Sequence, residues 1–151
     1  MLNQEDSMIN LKGTFIAVLR HNDGSVETRR KDNLILNSGF DFIADAIGNP
    51  TSRPAIMKYT AVGTGTTAVA AGQTALVTEL ARKEATYSHT KGTKVFSFST
   101  FFAAGEATGA ITEAGICNAN AAGTFIDRVT FAVINKAADD ELTVNFQFTL
   151  S

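Results

Sequence analysis

The 151 residues carry 44% hydrophobic and 19% charged side chains with a formal net charge of −2, a balance that folds rather than stays disordered. It leaves no basic footprint for a nucleic acid, and the chain has no run of about 18 apolar residues to span a bilayer. One domain, burying roughly two thirds of its unfolded surface, is expected at this length.

The opening, MLNQEDSMIN, places acidic residues where a signal peptide needs a basic and then an apolar stretch. Residues 1–8 are expected as a flexible arm ahead of a single domain over 9–151. Residues 9–19 (INLKGTFIAVL) form a β-branched, partly alternating strand. His21-Asn22-Asp23-Gly24 follows as a hairpin turn, because Asp-Gly tolerates positive φ. Residues 25–31 (SVETRRK) return as a polar strand, expected at an edge or facing solvent, and 33–37 (NLILN) is a short apolar run.

Ser38-Gly39 precedes the one convincing helix, 40–47, with Ser38 as N-cap and Gly48-Asn49-Pro50 as the stop. Phe40, Ile43, Ala44 and Ile47 fall at i, i+3, i+4 and i+7, an apolar helical face. A strand is expected over 55–62, then a small-residue loop through Gly63-Thr64-Gly65. An amphipathic turn opens at Thr74 and closes on Glu79-Leu80 and Arg82-Lys83. A polar strand over 82–90 turns at Lys91-Gly92 into 94–102 (KVFSFSTFF), where Phe96, Phe98 and Phe102 share one face. Strands over 110–117 and 123–134 follow, the second placing Phe125, Val129, Phe131 and Val133 opposite Arg128 and Thr130. The last strand is the cleanest: Leu142, Val144, Phe146, Phe148 and Leu150 inward, with polar residues between them.

About eight short strands with Gly-rich turns imply an all-β fold, an antiparallel β-sandwich of immunoglobulin-like or jelly-roll-like kind, with one short helix near 39–48 capping an open end.

The residues show no reaction chemistry. Gly63-Thr64-Gly65 lacks the Lys-Ser/Thr of a phosphate loop and the third glycine of a dinucleotide fingerprint, so it reads as a tight turn. His21 and His89, the two histidines, read as surface residues far from any convergent ligand set. Asp139-Asp140-Glu141 and the Asp41/Asp45 pair lack the oxygen-ligand spacing of a calcium loop and read as solvated charges. Glu106 and Glu113 are the one pair resembling a glycosidase's two carboxylates, with nothing to fix their separation. Cys117 stands alone, which excludes an intrachain disulfide, suits a reducing compartment and reads as an inert core residue. Arg29-Arg30-Lys31 reads as a solvated strand face, or in an assembly as a partner for acidic residues. Glu113 sits inside an apolar strand and needs a cation if buried, with Arg82 and Arg128 the natural candidates. No catalytic, cofactor-binding or metal-binding residue is assigned.

In order along the chain, NLILNSGFDFIADAI, YTAVGTGTTAVAAGQTALVTELARK, EAGICNA…GTFIDRVTF and LTVNFQFTL resemble a family of small structural proteins of tailed bacteriophages, from about Leu11 onward. The most specific elements are the VGTGTT loop, the pattern Thr74, Leu76, Glu79, Arg82, Lys83, and the EAGI strand at Glu113. The resemblance implies a non-enzymatic virion component made in the host cytoplasm, assembling with its own copies and other virion proteins in the tail, baseplate, collar or fibre-attachment region. It makes Gly63, Gly65, Glu79, Arg82, Glu113 and Arg128 candidates for structure or assembly. A capsid-decoration or head-fibre protein is the alternative within the virion, and a receptor- or carbohydrate-binding module the alternative outside that class. The lack of Trp and the presence of only two Tyr count against the last.

Overall fold

A computed structural model describes residues 9–151, and the arm expected over residues 1–8 lies outside them. The elements run β1 (Leu11–Arg20), β2 (Val26–Ile35), α1 (Asn37–Gly48), β3 (Tyr59–Gly63), β4 (Glu79–Glu84), β5 (Thr86–His89), β6 (Val95–Phe102), β7 (Gly109–Cys117), β8 (Asp127–Lys136) and β9 (Glu141–Leu150). All nine strands pair antiparallel in the order β4-β3-β7-β8-β2-β1-β9-β6-β5, a sheet that curls into a nearly closed, barrel-like surface. Its two ends are consecutive in sequence: β4 and β5 are separated by Ala85 alone, whose N–H donates to the Lys58 carbonyl at 2.8 Å.

The pair β1–β9 carries the centre of the core. Alternation puts Phe15, Ala17 and Leu19 of one strand, and Leu142, Val144, Phe146 and Phe148 of the other, wholly inside. Leu150, expected inside, is 39% exposed, because the strand ends at the rim of the sheet. Phe96 stacks on Phe148 with centroids 5.2 Å apart, and Phe15 on Phe131 at 4.4 Å. The Asp-Gly hairpin forms as the sequence indicates, with Gly24 at φ +87 and the Asp23 carboxylate accepting from the Ser25 N–H at 2.8 Å.

The expected helix exists, but rotated. Gly39, Phe42, Ile43 and Ala46 face the sheet, whereas Phe40 and Ile47 are 54% and 80% exposed. Gly39 causes this: any side chain there would collide with the Ile126 carbonyl, so the helix lies with its glycine against β8's approach. Ser38 donates to the Phe125 carbonyl at 2.7 Å instead of capping; the N-cap position is Leu36, with no side-chain bond. At the other end Arg53 donates twice to the Ala46 carbonyl.

Residues 64–78 form no helix. This 15-residue span is an irregular loop folded back on the sheet, with Leu76 packed on Leu36, Ala61, Cys117 and Phe125 in a second, smaller core. The polar strand and apolar run expected over 25–37 are one strand, β2; its side chains largely face solvent, as expected, but it lies between β1 and β8 and not at an edge. β8 departs from simple alternation: Arg128 is buried, Val133 is 41% exposed and Ile134 turns inward. A register shift opposite Ile111 and Glu113 supplies the extra residues that reverse the faces.

The candidate assembly site and two charged clusters

All six candidate residues fall on or beside the 64–78 loop. Glu113, on β7, is fully buried and receives five donors. Its Oε1 accepts from the N–H groups of Gly65 (3.0 Å) and Thr78 (2.7 Å). Its Oε2 accepts from the Val77 N–H (3.0 Å) and from Arg128 Nε (3.0 Å) and Nη2 (2.8 Å). Arg128 is therefore the partner of Glu113, and Arg82 is not. The remaining guanidinium nitrogen of Arg128, Nη1, donates to the Thr67 carbonyl and to Gln73 Oε1, both at 3.0 Å. Burial pushes the Glu113 carboxyl up, but the bonds from Thr78, Val77, Arg128 and Gly65 outweigh it and hold the group below the usual carboxylate value.

Gly63-Thr64-Gly65 is neither a tight turn nor a phosphate cradle. Gly63 ends β3, the Thr64 N–H donates to the Thr78 carbonyl at 2.9 Å, and the glycines are needed for closeness. A Cβ on Gly65 would lie 2.6 Å from Glu113 Oε1, and one on Gly63 would collide with the Thr78 carbonyl. The anion this loop binds is the protein's own carboxylate.

Arg82 and Glu79 form a second anchor at the loop's exit. A bulge in β4 opposite Val62/Gly63 brings them together, and Arg82 holds Glu79 bidentately at 2.6 and 3.0 Å. Arg82 Nη1 also donates to the carbonyls of Ala119 (2.7 Å) and Ala122 (2.9 Å), and the guanidinium lies 5.2 Å from the Phe125 ring centroid. It thus ties the start of β4, just past the 64–78 loop, to the loop over 118–124. Between them runs a groove of about 470 Å³ lined by small residues, including Ala75, Ala121, Ala122 and Gly123, with Arg82 and Phe125 at its base.

Sequence reasoning missed a second cluster. His21, read as a surface residue, bridges two carboxylates: Nε2 lies 2.5 Å from Glu27 Oε2 and Nδ1 lies 3.2 Å from Asp140 Oδ2. Asp140, read as solvated, is 4% exposed and accepts from the Ala137 N–H at 2.8 Å. Glu27, and to a smaller degree Asp140, hold the imidazolium pKa above its ordinary value against partial desolvation. Only a return of the chain over more than 100 residues brings Asp140 to His21, so no local pattern announces that contact.

Asp127 was missed too. It is fully buried, and burial pushes its carboxyl up to about 7 despite bonds from the Ile116 N–H (2.8 Å) and the Asn33 amide. Asn33 Oδ1 has no hydrogen-bond partner. When the carboxyl is protonated, its O–H can donate to the Asn33 oxygen if the amide turns over.

Glu106 and Glu113 are held apart in role: Glu106 pairs with Lys83 at 2.7 Å at the surface, while Glu113 is sealed against Arg128. Among the described residues no three His, Cys, Asp or Glu are placed to hold a metal ion. His21, Glu27 and Asp140 do not converge, since the carboxylates sit on opposite ring nitrogens. No helix among the described residues is long and apolar enough to cross a membrane. No family model matches the chain, and no curated protein or solved structure matches it.

Proposed function

We propose that this protein is a non-enzymatic structural subunit of a tailed-phage virion, assembling with its own copies in the tail, at the baseplate, collar or fibre attachment. One observation carries the reading. The 64–78 loop is fixed from below by buried or inward-facing charges, while its outer face exposes Thr66, Thr67, Ala68, Ala70, Ala71 and Gly72. Such a loop offers a rigid shape on which a neighbour's backbone can approach closely. The loop carries no charge of its own and the charges beneath it, Glu113 and Arg128, are saturated, which leaves shape as what it presents. The ordered run of motifs in the sequence supports the virion setting. In this reading the halves β4-β3-β7-β8 and β2-β1-β9-β6-β5 act as the two layers of a sandwich-like block, and a closed head-to-tail ring is the expected assembly.

Light scattering over a range of concentrations, with electron microscopy of the same sample, tests the assembly. Closed rings that dissociate on Ala70→Arg without loss of thermal stability support it. A monomer at every concentration, together with absence of the chain from purified virions by mass spectrometry, rules it out.

A further inference from the structure

We propose that the seam between β2 and β8 is a pH-operated gate, held shut by the side-chain series Asp140–His21–Glu27–Arg29 while both ring nitrogens of His21 carry protons, and released when one proton leaves. The seam has the shortest ladder in the sheet. Its backbone pairing covers only Leu34↔Arg128 and Ile35↔Asp127, whereas β1 pairs with β2 over eight positions from Gly13↔Asn33 to Arg20↔Val26. Beyond the two pairs, side chains replace the ladder. Phe15 on Phe131 closes the inner side. Arg29 reaches across from β2 and donates to the carbonyls of Ala132 (3.2 Å) and Val133 (3.0 Å), within the stretch where β8 changes register.

Arg29 is steered by Glu27, whose Oε1 lies 3.3 Å from its Nη2. Glu27 is in turn held by His21, and His21 by Asp140 at the β8–β9 turn. Ionised carboxylates only accept, so each ring nitrogen must donate and the series is complete only with imidazolium. Loss of either proton sets a nitrogen lone pair against a carboxylate. Asp140 is anchored by Ala137, so Glu27, 42% exposed at its side chain, is the group that moves, and Arg29 loses its guide. The other charges around His21 are Asp23 in its own turn, Arg20 opposite Glu141 on β1 and β9, and Lys136 on β8. Because His21 binds its proton more tightly in the closed state, closure holds at low pH and is lost as pH rises through its folded-state midpoint.

The test is amide hydrogen exchange at Leu34, Ile35, Leu36 and Arg128, where the seam's backbone bonds lie, from about pH 5 to about pH 9. Protection factors are corrected for the intrinsic rate, and His21 is followed by NMR in the same samples. Seam protection is expected to fall as pH rises from the ordinary histidine value to the His21 midpoint, by about tenfold for each unit between them, while β1–β9 amides hold. His21→Gln should fix the seam at its high-pH level. Asp127, whose carboxyl burial pushes up to about 7, sits at the paired end of this seam, so the series is repeated in Asp127→Asn. Protection that is flat across the His21 titration, that still falls with pH in His21→Gln, or that follows Asp127 instead overturns the gate.

Discussion

Glu113 and Glu27 perform the same task, tying a strand to a cation from elsewhere in the chain, and the surroundings decide what each can do. Glu113 is sealed from water, bonded five times and tied to a fixed charge, Arg128. Glu27 is at the surface, bonded to a histidine whose charge depends on pH. The dry cluster therefore fixes a shape under all ordinary conditions, and the wet cluster responds to them. Burial converts an interaction of little net worth into one that cannot be removed without heavy loss, because the surviving partner has no water to turn to.

The sharpest way to break that contrast is Glu113→Ala. It strands Arg128 and three backbone N–H groups in the interior and should destabilise the fold by about 3–5 kcal/mol, read by urea denaturation. Combining it with Arg128→Met should recover part of the loss, since no unpaired charge remains. Gly63→Ala acts on the same knot by crowding: a methyl against the Thr78 carbonyl should cost about 1–3 kcal/mol in the same measurement.

Asp127→Asn changes the shape of the pH profile rather than its height at low pH. Its folded pKa of about 7 stands above the ordinary 3.8, so the wild type loses stability as pH rises between those values. In the variant, denaturation midpoints should lose that downward slope; a slope unchanged would show that Asp127 is not the group responsible. Glu113 runs the other way, its lowered pKa giving stability that is lost as pH falls, so the variant should retain its acid-side decline. Smallest of all, Glu27→Gln should leave the denaturation midpoint alone and lower the His21 titration midpoint seen by NMR.

What was legible in the sequence follows the range of the interaction that decides it. β9 reads correctly from Leu142 to Phe148 because a period of two on a half-buried strand is a purely local signal. The pairing of Glu113 with Arg128 could be narrowed to two cations from the cost of burying a lone carboxylate. The helix was placed but turned wrongly, because a close contact between Gly39 and Ile126 overrides a stripe that includes Phe40 and Ile47. The turn expected at Thr74 failed for a related reason: the N–H groups of Val77 and Thr78, which a helix would direct to its own carbonyls, are taken by Glu113. His21 with Asp140, and Asn33 with Asp127, are joins between distant segments that no spacing rule encodes.

Asn10 and Ser151 exchange two backbone hydrogen bonds, at 2.7 and 2.9 Å, beside the central strand pair. The beginning and end of the described chain are thus neighbours, about 30 Å along β1 from the His21 cluster. A short peptide joining them, with a new break opened at the exposed Lys91-Gly92 turn, would yield a circular permutant that keeps every strand pairing. In such a molecule, cargo fused at the new break would leave from a different place on the sheet, which gives a handle for mapping which side of the subunit neighbours occupy.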